Sequence, residues 1–515
     1  MLKFEDLKPR LFSWMEVLIL GTSFGISYVQ RPLYTSNQNT KFLHGFAKAG
    51  VGYLNQDWLA NTIDPLPTFT GLVQFTSVVF SPGCFYLYYL ILAGIYTYSL
   101  IGIISRLYQF SYPGNYPVKK LVYFVAFITI HCLQVTIFGF ETHTYLSSGV
   151  AEQYILGDYF QTSNFGAIIL LSIDGFLRGH SRLAILGLAG AATLHPAYLP
   201  TAALLTLSYM VSLARQGNRP RKVLGIGVLA LGLVLPIVLY SVWVMQPTSP
   251  ATSELAQSLI VDRIAHHASP KIWLDRNAWI QILITFVGVF LVRKTRLLII
   301  LGIPLLIAVV STALAIVAQN NLIAFLTPWR VSAILVPLST SIILGYLLNL
   351  GFQRWESQLF QFRCLISFTC LIILSIYGFI GANQQIKELN AQKNYAPMME
   401  FVRTHKLPSD LYLVPHTSGN FIEFRLATGA PILANYKSHP YRDTEVIEWH
   451  NRLMLAQRFY APEFKETRCQ TLTEIQQNYQ ITHLITEQGQ WADCPGLQII
   501  YQDERYTIYQ LVKPE

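Results

Sequence analysis

Four short strings hold most of the side chains able to do chemistry. The first runs from Asp57 to Thr70, reads DWLANTIDPLPTFT, and sets two carboxylates, Asp57 and Asp64, among aromatic and apolar neighbours. A carboxylate partly removed from water beside Trp58 takes up a proton more readily than a solvated one, which suits a general base for an attacking hydroxyl. Asp is also favoured as a cap of helices and turns, so a structural reading stands beside the chemical one for both residues. The second string, Phe140-Glu141-Thr142-His143, places an acid and an imidazole two apart, with Glu152 following. Converging loops would let Glu141 and His143 share a proton or a metal with Asp57, although solvated residues at a helix end show the same pattern.

The third string, RIAHHASPKIW from Arg263 to Trp273, brings Arg263, His266 and His267 together with a tryptophan. Guanidinium and imidazolium give charge-assisted hydrogen bonds to phosphate oxygens, so a phosphate or pyrophosphate headgroup fits here. Interfacial anchoring by Trp and basic residues is the alternative. The fourth string, TPWR, ends on Arg330, which is suited to neutralise a lipid phosphate or to snorkel to the interface. His195, in LHPAY, is a further imidazole beside a proline.

These strings lie in a chain of 515 residues that is 52% hydrophobic and only 13% charged. Its mean hydropathy is +0.38. Soluble chains carry roughly 25% charged residues, so the composition is that of a membrane protein. Apolar segments near 12–30, 83–105, 119–138, 164–177, 223–245, 278–292, 297–318, 331–350 and 364–382 have the length of spans. The stretch 183–213 is too long for one ordinary span and is broken by Pro196 and Pro200, with Arg182 at one end and Arg215, Arg219, Arg221 and Lys222 at the other. Basic residues favour the cytoplasm, which makes this stretch a hairpin of two short helices with His195 near its outer tip. About eleven spans follow, with the N-terminus cytoplasmic and the C-terminus outside. Under that topology Asp57, Asp64, Glu141, His143, His195, Arg263, His266, His267 and Arg330 all face outward, and such a gathering marks a site open to the outer leaflet. The apolar start lacks a small-residue cleavage site and reads as an uncleaved anchor.

Charge divides the chain into a membrane domain, 1–382, and a water-soluble domain, 383–515. The first holds 24 basic and 13 acidic residues and the second 13 and 15, so the positive balance belongs to the membrane part. A basic balance of that origin reports topology and not nucleic-acid binding. Strings Leu411-Val414, His483-Thr486, Leu497-Tyr501 and Thr507-Leu511 read as strands of a small α/β domain, with Asp503 opening the last turn. The Thr471 to Glu474 spacing is that of a capping box at the start of a helix. Cys469 and Cys494 are the only cysteines there, and an oxidising compartment permits their pairing. Phe424, Arg425, Lys437, His439, Tyr441, Trp449 and Arg452 are the polar and aromatic residues to inspect for contact with an acceptor, although most residues of these types are ordinary surface and core residues. The chain contains no Walker A loop, dinucleotide fingerprint, paired CxxC or HExxH.

The arrangement of a first span, a long outer loop with an early acid, a second outer loop with acids, a late outer Arg and an exported C-terminal domain resembles the GT-C superfamily of membrane glycosyltransferases. The strings DWLANTIDPLPTFT, LHPAY, RIAHHASPKIW and TPWR are similar to an uncharacterised bacterial branch of such proteins. The resemblance implies an α-helical polytopic membrane protein with a small extracytoplasmic α/β domain in a bacterial inner membrane. It implies transfer of a sugar from a polyprenyl-phosphate carrier to a glycan, lipid or protein acceptor, with inversion. Asp57 would be the base or the organiser of a metal, Glu141 its partner, and Arg330 with Arg263 the holders of lipid phosphate. The first loop has no adjacent Asp-Glu pair and the second no Asp-x-Asp, so a divalent ion such as Mg or Mn and no metal at all remain equally open. Two other classes stay in view. One is a transporter or export component for a lipid-linked or polysaccharide substrate; the other is a scaffold that presents the C-terminal domain.

Overall fold

The computed structural model describes residues 13–28, 30–110, 116–132, 136–137, 140–141, 143–318, 328–391, 396–416, 421–488 and 494–512. The ends of the expected spans 12–30 and 119–138 fall partly outside these residues, as do Lys3, Lys8, Arg10 and Thr142. The chain forms two compact units, one of residues 1–30, 85–240 and 261–386 and the other of residues 31–84, 241–260 and 387–515. Contiguous domains divided at 382/383 were expected. The difference has a physical reason: the aromatic loop 31–84 and the segment 241–260 bury polar groups against the C-terminal part, as described below.

The first unit is a helical membrane body. Six described helices are long and apolar enough to cross a bilayer, among them Cys84–Leu107, Pro220–Val244, Leu297–Val317 and Arg363–Ala391, and four shorter apolar helices accompany them. Helix Pro220–Val244 shows why a membrane is required: Leu224, Val228, Leu231, Leu239 and Val242 are each at least 59% exposed along it. Water would leave that surface unsatisfied, whereas lipid tails match it.

The stretch around His195 folds as a helical hairpin, Ser181–Leu194 and Leu199–Arg215, joined by His195 and the 3₁₀ turn Pro196–Tyr198. Its prolines do not interrupt a helix. Pro196 starts the turn and Pro200 lies in the first turn of the second arm, where a missing N–H leaves no bond unmade. At 1.5 Å per residue the arms span about 21 and 26 Å, shorter than the hydrocarbon core of about 30 Å. At their other end a buried carboxylate ties the body together: Asp174 takes Arg106 Nη2 at 2.8 Å and Arg178 Nε at 2.7 Å.

The second unit is built on a four-stranded sheet in the order Tyr412–Leu413, His483–Glu487, Tyr506–Leu511, Leu497–Gln502. The first pair is parallel and the other two antiparallel, with a bulge between Ile499 and Tyr501. All four strands overlap the apolar strings at 411–414, 483–486, 497–501 and 507–511. One core gathers Met398, Phe421, Phe424, Ile432 and Ile508, and another gathers Leu413, Phe459, Ile475 and Leu484. Asp503 Oδ1 holds the last turn by accepting from Arg505 N and Tyr506 N, both at 2.8 Å. Cys469 and Cys494 are disulfide-bonded. The capping box does not form: the helix runs Arg468–Tyr479, so Thr471 is inside it and donates to the Thr467 carbonyl.

Candidate functional site

Asp57 closes a 3₁₀ turn, Leu54–Gln56, in an extended conformation and is fully buried. Its Oδ1 accepts from Leu59 N at 2.9 Å, a local turn bond, and its Oδ2 accepts from Ile432 N at 3.1 Å. Arg425 Nε lies 2.8 Å from the same Oδ2, with the two side chains 2% and 0% exposed. Burial pulls the Arg425 guanidinium below its usual range and Asp57 opposes that. Both carboxylate oxygens are therefore engaged, and no face of Asp57 is open to a substrate hydroxyl. This arrangement departs from the base expected at Asp57 and agrees with the turn-capping alternative. Arg425 is correspondingly withdrawn from the acceptor candidates.

The surrounding contacts repeat the theme. Asp64 receives Leu66 N and Thr70 Oγ1 at 3.0 Å at the start of helix Pro67–Val79, and Lys48 Nζ at 3.2 Å. Glu445 takes Ile63 N at 3.0 Å, Asp443 takes Thr248 N at 2.6 Å, and Arg452 stacks 4.3 Å over Trp58. Trp449 is buried and donates to the Asn435 carbonyl. Gly52, at φ 55°, lies so close to Gly429 that a Cβ would meet its carbonyl oxygen at 2.5 Å. The polar side chains of this unit knit loop to domain.

The membrane body holds the other expected residues and brings several together. The 3₁₀ turns Val150–Glu152, Pro196–Tyr198 and Pro328–Val331 meet at one end of the helices, with the short helices Ala265–Ala268 and Pro270–Trp273 against the first. His195 is buried with its ring edge-on to Tyr198 at 4.8 Å, and Tyr198 Oη donates to the Ser163 carbonyl at 2.7 Å. Arg330 is half-buried in its turn, following Trp329, whose Nε1 donates to Thr312 Oγ1 at 2.6 Å. His266 and His267 lie ring to ring at 4.0 Å, and His267 Nδ1 donates to the Ala151 carbonyl at 2.7 Å. Arg263 is half-buried at the end of helix Pro250–Arg263. Glu141 is exposed and 3.9 Å from Nε2 of the half-buried His143, at hydrogen-bond range only through water.

The backbone at the centre of this cluster is unusual. Ala151 has φ 58° and ψ 40°, and Glu152 follows with φ 53°. Left-handed backbone is rare for residues other than Gly, Asn and Asp and costs about 1 to 3 kcal/mol per residue, so the surroundings must hold it. They do. Gln153 Nε2 joins His267 on the Ala151 carbonyl at 3.1 Å, Gly149 N donates to the Gln153 carbonyl at 2.5 Å, and Ser332 Oγ donates to the Val150 carbonyl at 3.3 Å. Gly149 packs on Ser332 with no room for a Cβ, which would come within 2.4 Å of backbone. The product of this bracing is an exposed Glu152 carboxylate on a turn whose other residues are buried. By residue type Glu152 belongs among solvated helix-end residues, and nothing in Val-Ala-Glu-Gln announces a left-handed pair.

Among the described residues no three His, Cys, Asp or Glu side chains gather closely enough to hold a metal ion.

Comparisons with known proteins give three results. Residues 393–456 match a family described as a domain of unknown function, DUF6798. That segment contains Arg425, Ile432, Asp443, Glu445 and Arg452, the residues that hold Asp57, Thr248, Ile63 and Trp58. No curated protein sequence matches the chain. Among solved structures the chain is similar to ArnT from Cupriavidus metallidurans bound to undecaprenyl phosphate, at 11% identity and a TM-score of 0.43, over 98% of this chain and 99% of that one. It is also similar to the apo form of that protein, at 11% identity and a TM-score of 0.44, over 97% and 98%.

Proposed function

We propose that the chain is an integral-membrane glycosyltransferase that moves a sugar from a polyprenyl-phosphate carrier to an acceptor on the extracytoplasmic face. The observation that carries the reading is the cluster of turns around Glu152, His267, His195 and Arg330 at one end of a lipid-exposed helical body. It sets a cation and imidazoles beside Trp273 and Trp329, where a lipid phosphate at the bilayer edge needs charge-assisted donors. Arg330 would neutralise the departing phosphate, with His267 and Arg263 as further donors. The disulfide of the C-terminal unit supports an oxidising compartment for that unit, and hence the expected topology.

Asp57 takes a different part in this proposal from the one its position in the first loop suggested. With both oxygens engaged it fixes the loop 31–84 on the C-terminal unit, a positioning role. The exposed Glu141, with the half-buried His143 beside it, stays a candidate to meet the acceptor.

The test is the surface glycan and glycolipid profile of a deletion strain complemented by the wild-type chain. Loss of one glycan on deletion, restored on complementation, supports transfer and gives the acceptor class. Transfer predicts that the sugar-loaded polyprenyl phosphate still reaches the outer face and accumulates there in the deletion strain; loss of the glycan with that precursor held on the cytoplasmic face would overturn the reading in favour of export.

A further inference from the structure

We propose that Glu152 is the general base of the transfer, a role that rests on the glycosyltransferase reading above. Three features of the turn single it out. The Ala151-Glu152 pair is held left-handed although neither residue favours that conformation. The bracing comes from the side chain of Gln153, which caps the turn, and from His267 and Ser332 on separate elements, and all three act on the backbone. Glu152 is exposed while Val150, Ala151 and Gln153 on either side are buried. A turn that only linked two helices would relax to an ordinary conformation or carry glycine or asparagine; a strained turn that presents one carboxylate is the form expected when that carboxylate has work to do.

Contrast with the other acids sharpens the assignment. Asp57 spends both oxygens on buried backbone and guanidinium partners, and Asp174 spends both of its own on the half-buried Arg106 and Arg178. Asp275 caps helix Arg276–Leu291 through Ala278 N. Among the described residues no hydrogen bond or ion pair takes the Glu152 carboxylate, and its turn touches the elements that carry His267 and Arg330.

The step balances as follows. The acceptor O–H gives its proton to Glu152 while its oxygen lone pair forms the bond to the anomeric carbon. The bond from that carbon to the phosphate oxygen breaks with its electron pair staying on the phosphate. The sugar phosphodiester, with one negative charge, becomes a polyprenyl phosphate with two, and Glu152 becomes neutral and then returns its proton to water. Arg330 faces the charge that develops on the phosphate.

The experiment complements the deletion strain at matched membrane abundance with wild type, Glu152→Gln, Glu152→Asp and Glu152→Asn, and follows the restored glycan by mass spectrometry over a time course. General-base removal predicts a rate at least about 100-fold lower for Glu152→Gln, with partial recovery in Glu152→Asp. Asn tolerates left-handed backbone, so Glu152→Asn raises the unfolding midpoint of the purified full chain while its transfer is lost. A merely structural Glu152 gives the opposite result, with transfer in Glu152→Asn equal to or above wild type, and that outcome overturns the proposal. So does a Glu152→Gln chain that transfers at the wild-type rate. If the wild-type chain itself restores no glycan, the glycosyltransferase reading falls and takes the base with it, a result distinct from either mutant outcome.

Discussion

Replacing Asp57 by Asn removes one charge from a fully buried pair and leaves Arg425 facing an amide. At 2.8 Å and an effective dielectric of about 20, the attraction between the two charges is about 6 kcal/mol. Desolvation of both groups offsets part of this, so loss of one partner destabilises by about 3 to 5 kcal/mol. The Ile432 N–H would also face either an amide oxygen or an amide N–H, and the second arrangement sets two donors against each other. Arg425→Met leaves the Asp57 carboxylate its two backbone N–H partners, so its cost falls at the lower end. The double variant Asp57→Asn/Arg425→Met buries no net charge and should be more stable than either single variant, a positive coupling of about 2 kcal/mol or more. Pulse proteolysis of the purified full chain across a urea series reads these differences for the C-terminal unit, and glycan restoration reads function alongside. An Asp57→Asn chain as protease-resistant as wild type yet devoid of transfer would refute the reasoning, because Asp57 would then act chemically.

Three further outcomes are expected. Reducing the disulfide, or replacing Cys469 and Cys494 by Ser, should cost about 3.5 kcal/mol in the C-terminal unit for a sequence separation of 25 residues, read by the same proteolysis; thiol labelling of intact cells reports whether both cysteines are already bonded. Burial lowers His44, His416 and His483 below the ordinary 6.5. The unfolded chain then binds protons that the folded chain refuses, so stability is full above about pH 6.5 and falls as pH drops toward the folded values; urea midpoints between pH 8 and 5 check the slope, and an increase on acidification would contradict it. Gly52→Ala should destabilise far more than Gly50→Ala. Both sit at positive φ, yet a Cβ at Gly52 meets backbone at 2.5 Å whereas Gly50 has nothing within 4 Å.

What the sequence disclosed and what it withheld divide along one line. Spans, the hairpin at His195 and the four strands follow from local patterns: apolar length, a proline pair between basic ends, and short apolar strings. The disulfide pairing needed only two cysteines in one exported segment and a geometry that closes. The helix at 468–479 shows the limit of a local rule, since the 3₁₀ turn Pro462–Thr467 feeds straight into it and leaves Thr471 no role as a cap. Asp57 was visible as a carboxylate in an apolar loop, but its partners Arg425 and Ile432 N, the latter 375 positions away, were not. Glu152 was less visible still, because its distinction lies in two backbone angles.

The placement of carboxylates gives the division a chemical meaning. A buried acid needs a partner at each of its two oxygens, and those partners are what make it unavailable to a substrate. Asp57 and Asp174 satisfy that condition with guanidinium groups and therefore serve stability. A base needs the reverse, an oxygen left open and a backbone that cannot swing it away. Exposure alone gives the first property, which Glu141 also has. The braced left-handed turn adds the second at Glu152, and the part of its strain that sits at residue 152 is what Glu152→Asn relieves. A gain in stability joined to a loss of transfer in one substitution would therefore separate a catalytic acid from a structural one without any knowledge of the sugar.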